Sequence, residues 1–194
     1  MSRPILGFML AETLLWAGLF YSFPVLVLHW QADFGWPVAR IMGALTCAIA
    51  AWALSLPFWG RLVDRGHGAL VMLGCGGTGA ALLALLTRVT EPWQFYALWT
   101  ALGLAMGGAL YETCFAIVTR AHGAAAQRPI TAITLAAGFA STLAYPFVAF
   151  IAEPFGWRVA VLGLAALVAF LATPAAALSA RALERRVTDD ARAE

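Results

Sequence analysis

The chain has 194 residues, 62% of them hydrophobic, with 11% charged and a formal net charge of +2. That charged share is less than half of what a water-soluble domain usually carries, so the residues needed to build a hydrated surface are missing. The small net charge, without a dense basic run, gives no footing for a nucleic-acid partner.

A bilayer core takes about 20 apolar residues per helix. Six runs meet that requirement, at 5–28, 38–59, 69–87, 93–119, 130–152 and 157–178. The first has only Arg3 before it, is longer than a leader core and lacks a small-residue cleavage site, so it is expected to be a retained span. "HWQADFGWP" separates it from the second, "GRLVDRGHG" the second from the third, and "RVTEPW" the third from the fourth. "RAHGAAAQRP" and "EPFGWR" follow the fourth and fifth. Pro37, Pro92 and Pro129 stand near helix starts, where a missing N–H costs nothing. Pro24, Pro57 and Pro146 stand within or near spans and are candidate kinks. The polar stretch 179–194 is read as a cytoplasmic tail beside the anionic leaflet, after a transmembrane domain over 1–178.

There is no lysine, and the twelve arginines divide unevenly between the two sets of turns. Arg3, Arg61, Arg65, Arg120, Arg128, Arg181, Arg185, Arg186 and Arg192 fall on one side; Arg40, Arg88 and Arg158 fall on the other. The imbalance places both termini in the cytoplasm, and a bacterial inner membrane is the expected location. Trp30, Trp36, Trp93 and Trp157 fall at the opposite ends, where indoles anchor in the interface. Two outer turns, "FGWPVA" and "FGWRVA", repeat one solution. Cys47, Cys75 and Cys114 lie in apolar runs with no CxxC spacing and are expected to be free, buried thiols.

Patterns for soluble catalysis are missing: no phosphate loop, no HExxH or CxxC metal spacing, no GxSxG turn. No enzyme activity, catalytic residue, cofactor or metal is therefore expected. Charges within the spans carry more information, because an ionisable group in hydrocarbon usually faces a cavity or a partner. Glu12 lies eight residues into the first run, and Glu112 eight residues before Arg120. At 1.5 Å per residue both are about 12 Å deep, on different helices. Such a pair can hold a proton or a cation. Arg40, at the start of the second run, is expected to snorkel outward. Gly103 and Gly107 form a small-xxx-small step suited to close helix packing.

The turn "GRLVDRGHGAL" places Gly60, Asp64 and Arg65 as in G-x-x-x-D-R-x-G-R-[RK], with the later glycine matched by Gly66 or Gly68. Ala69 and Leu70 stand roughly where the pattern has a basic pair. That turn resembles the signature loop of the major facilitator superfamily. "DFGW", "GGALYETCF", "RPITAITLAAGFASTLAYPF" and "FGWR" are similar to general transporters of the same superfamily, so the resemblance covers nearly the whole chain, and the family's first half.

The resemblance implies an all-α polytopic membrane protein, here a six-helix half bundle of the 3+3 inverted-repeat kind. It implies secondary active transport of a small solute by alternating access, with proton coupling as an option. Its first and fourth helices would line the cavity, and Asp64 would engage a helix of a second half. The expected partners are the solute, membrane lipid, and a second copy or a separate six-helix half. The fifth run lacks the GP-x-x-GG pattern of drug–proton antiporters, retaining only Gly138 and Pro146. The alternative is a non-transporting six-helix protein, either a truncated transporter or an interaction scaffold.

Overall fold

The computed structural model describes residues 2–193, with side chains through residue 189; Arg192, counted above among the inner arginines, has its side chain outside the described set. Six helices are long and apolar enough to cross a membrane: α1 (Arg3–Phe34), α2 (Val38–Asp64), α3 (Gly68–Leu86), α4 (Pro92–Ala125), α5 (Gln127–Phe155) and α6 (Trp157–Asp189). Each coincides with one apolar run. Most extend past it, because helical hydrogen bonding continues into the headgroup layer where hydrophobicity has already fallen. The helix of α6 continues to Ala193.

The helices exchange partners. α1 packs on α5 and α6, whereas α4 packs on α2 and α3. α3 and α6 also meet, which closes the bundle. α2 and α5 are the least buried of the six.

Close approach depends on glycine. A Cβ on Gly103 would lie 2.0 Å from the carbonyl oxygen of Ala48, and one on Gly107 would lie 2.3 Å from Ser55 Oγ. Both α4 positions therefore rest directly on α2. Trp59 adds a polar stitch, its Nε1–H donating to the Leu104 carbonyl at 3.0 Å.

The aromatic core lies toward the end of the bundle where Phe34 meets Trp157. Phe23 and Trp99 meet edge to face at 4.6 Å, and Trp30 meets Phe95 at 5.0 Å. This corrects the interfacial expectation for two tryptophans. Trp30 is fully buried, and Trp157 is buried with its Nε1–H donating to Asp33 at 3.2 Å. Their rings gain more from packing in this cluster than from an interface position. Trp93 is exposed and Trp36 half-buried. Cys75 and Cys114 are buried, but Cys47 is exposed on the outward side of α2, contrary to its sequence expectation.

The two repeated turns, at Gly35 and Gly156, are joined to each other. Gly35 and Gly156 both take positive φ, 68° and 84°, where a side chain would be strained. Between them Arg158 Nη1 pairs with Asp33 at 2.9 Å, and its Nε–H donates to the Thr87 carbonyl at 3.2 Å.

Gly103→Val forces the Ala48 backbone away and is expected to cost about 1–3 kcal/mol, lowering the midpoint of thermal unfolding in detergent by roughly 2–10 °C. Gly77→Ala, with nothing within 4 Å of the new atom, does not lower that midpoint and raises it by the helix propensity gained.

Candidate functional site: two acids at interrupted helices

α1 is not regular throughout. From Trp16 to Phe20 it opens into a π turn, in which the Tyr21 N–H donates to the Trp16 carbonyl at 2.9 Å, five residues back. Such insertions are rare and concentrate at functional positions. Gly18 makes room for it, since a Cβ there would lie 2.4 Å from Val168 Cγ2. Val168 begins a second π turn, Val168–Ala172 in α6, so the two irregular segments rest on each other.

α4 is interrupted as well. Leu110 has extended backbone (φ −95°, ψ −162°), and a fresh helix starts at Tyr111. The Thr113 hydroxyl donates to the Gly107 carbonyl at 3.2 Å and occupies an acceptor near the break. α5 has a turn at Gly138 and Phe139.

The two acids stand beside the first two interruptions. Glu12 precedes the π turn of α1 and shares a helix face with Trp16, four residues on. It is fully buried, and neither carboxyl oxygen has a hydrogen-bond partner. Cys114, Trp16 and Glu112 are the polar groups near enough to act on it. Glu112 lies in the first turn of the restarted helix of α4 and is exposed. The structure thus brings the two sequence-selected acids into electrostatic range across facing helices, one sealed and one open.

Around them runs a wall of rings that sequence reading missed. Trp16 lies 4.7 Å from Tyr111 and 5.8 Å from Trp52, while Tyr111 stacks on Phe115 at 4.8 Å. Phe20 and Tyr21 extend the wall along α1. The indole nitrogens of Trp16 and Trp52 are buried without partners. A buried polar group left unpaired costs about 1–3 kcal/mol, so two on one wall call for a functional account.

The Asp64 turn is a separate structure at the other end. α2 closes with the His67 N–H on the Leu62 carbonyl at 3.0 Å and the Gly66 N–H on the Val63 carbonyl at 2.8 Å. This pairing needs a left-handed residue, supplied by Gly66 at φ 82°. Gly68 has a different task. It is buried against Ile117 and Glu184, whose Oε1 accepts from the Ala69 N–H at 3.2 Å and so caps α3. Arg120, from α4, donates to the carbonyls of Val63 and Asp64. Gly60 has open space around it. Among the described residues, the exposed side chains of Asp64 and Arg65 enter no ion pair. Arg120 and Glu184 are the residues that hold the turn. Neither was visible from the motif, because their contacts span 57 and 115 residues.

A cavity of about 650 Å³ opens elsewhere, among α2, α3 and α4, lined by Leu62, Leu70 and Leu104 with Arg65 and His67. Neither acid reaches it. Among the described residues, no three of His, Cys, Asp and Glu gather as a metal ion would require.

Six long apolar helices, several of them with interrupted backbone, define a polytopic α-helical membrane protein. The Major Facilitator Superfamily model matches residues 8–193, and the chain belongs to that superfamily of membrane transporters. None of the curated proteins compared with it matches significantly.

Arg120→Ala frees two carbonyls at the end of α2 and is expected to speed tryptic cleavage at Arg61 and Arg65 several-fold in detergent, with the fold retained by circular dichroism. Arg186→Ala, exposed and outside these contacts, leaves the cleavage rate unchanged.

Proposed function

We propose that this chain forms half of a secondary active transporter, moving a small solute by alternating access with protons coupled through Glu12 and Glu112. The observation that carries this is the placement of both acids beside interruptions in α1 and α4. Irregular backbone at membrane depth persists where protein or a water-filled cavity satisfies it, and such interruptions mark carrier binding sites. Glu12, sealed and unpartnered, suits a proton carrier, since protonation removes a charge that nothing nearby neutralises.

The exchange of partners supports the inverted 3+3 repeat. The first helix of each triplet packs on the second and third helices of the other, as two interlocked triplets require. The arginine imbalance supports cytoplasmic termini, with 179–194 as the cytoplasmic tail of a 1–178 transmembrane domain in a bacterial inner membrane.

The wall of rings and Glu112 need an opposing surface to become a cavity. The proposed partner is a second set of six helices, either another copy related by an axis along the membrane normal or a separate chain. The exposed α2 and α5 are the surfaces to meet it, and Asp64, at an exposed turn, is placed to engage its helix end.

The test is flux of a panel of cationic, anionic and neutral solutes in proteoliposomes, with and without a pH gradient. Wild-type protein is expected to move at least one solute faster under the gradient. Glu12→Gln abolishes that acceleration while leaving gradient-free exchange. No flux of any solute, with a strictly monomeric protein in nanodiscs, sinks the proposal and favours a non-transporting scaffold.

A further inference from the structure

The cavity among α2, α3 and α4 has no part in the acid site, and its lining has a direction. Arg65 and His67, both exposed, stand at one end, on the turn between α2 and α3. From there the lining follows one face of α3, through Leu70, Gly74 and Thr78 to Leu82, and carries no further charge. Trp59 of α2 closes the groove beside α4. Its indole N–H is already given to the Leu104 carbonyl at 3.0 Å, so it asks no hydrogen bond of an occupant.

Length and charge narrow what fits. From Leu70 to Leu82 the apolar stripe runs about 18 Å at 1.5 Å per residue. One leaflet supplies about 15 Å, half of the roughly 30 Å hydrocarbon core. A groove of one leaflet's depth with cations at its mouth has the measure of a lipid chain below its headgroup, whereas a neighbouring helix would use the whole span. The acids at this end of the bundle line other cavities. Asp64 lies with Thr119 and Arg120 in one, and Glu184 lies with Val63 and Arg120 in another. The turn thus sorts its charges, and the groove receives the positive ones. A second, shallower groove on the other side of α3, between Gly77 and Ala166 of α6, is lined by no charged residue.

We propose that the first groove seats one anionic phospholipid of the adjoining leaflet, its phosphate against Arg65 and His67 and one acyl chain along α3 over Gly74. Basic pockets between membrane helices recognise such headgroups. Glycine at 74 leaves the chain its path, since even a Cβ there would project into open space, with nothing of the protein within 4 Å. The chain would touch α2, α3 and α4 together. The site is separate from the two acids and needs only that the protein spans a bilayer, so it holds whether or not the protein transports.

The test is native mass spectrometry of the delipidated full chain in detergent. It is titrated with phosphatidylglycerol, phosphatidylethanolamine and phosphatidylcholine carrying the same acyl chains. One phosphatidylglycerol is expected to remain bound at concentrations where the other two do not. Arg65→Gln weakens that binding about fivefold. Gly74→Leu fills the groove from open space and weakens it about tenfold, with helix content retained by circular dichroism. Gly77→Leu puts the same side chain into the other groove and leaves binding unchanged. Glycerol phosphate, a headgroup without a chain, does not displace the lipid. Because the three lipids are compared on wild-type protein, a variant that fails to fold does not remove the test. Equal retention of the three lipids, tighter binding of the ethanolamine lipid, or binding indifferent to both Arg65→Gln and Gly74→Leu overturns the proposal. Displacement by glycerol phosphate overturns it in favour of a simple anion site. A dimer that Gly74→Leu disrupts, without any lipid preference, overturns it in favour of a second copy in the groove.

Discussion

Hydrocarbon offers an unpaired polar group nothing to bond, so each irregularity in a membrane helix must be met by the protein itself or by what the protein binds. Several polar groups of this chain are met locally. The Thr13 hydroxyl returns to the Met9 carbonyl at 2.7 Å, Ser55 to Trp52 at 2.7 Å, and Thr113 to Gly107 across the break in α4. Glu12 is not. It is fully buried with both oxygens unpartnered, and the π turn of α1 follows it.

The ends of the bundle are built in the opposite manner. At one end of the bundle Arg158 ties Asp33 and the Thr87 carbonyl together while lying 4.4 Å from the Trp157 ring. An exposed ion pair alone contributes about 0–1 kcal/mol, but this one belongs to a network that joins three connections. At the other end Arg120 and Glu184 hold the turn between α2 and α3 from two different helices. Polar ties between helices thus gather at the two ends of the bundle.

Hydrophobic run length made the six helices legible, because the bilayer fixes how many apolar residues a span needs. The deep acids were legible for the same reason, as charge stands out against such a background. The π turn at Trp16–Phe20 was not. "WAGLF" carries no breaker signal beyond one glycine, and the cause lies 150 residues away in the Val168 side chain. The ring wall was hidden similarly, since Trp16, Trp52 and Tyr111 belong to three helices and converge only through packing. The motif located the Asp64 turn but left Gly66 and Gly68 as alternatives. Backbone geometry divides them, one making the turn and the other admitting Ile117 and Glu184. Trp30 shows that a correct position along the chain does not settle which way a ring faces.

The exchange of helix partners also constrains biogenesis. α1 leaves the ribosome first, yet its packing partners, α5 and α6, are made last. Until they arrive, α1 lacks most of its packing surface. α2, α3 and α4 hold all their mutual contacts once α4 is made, whereas the native packing of α1 is completed only by the last two helices, so a chain cut short before α5 leaves its first helix without its principal partners.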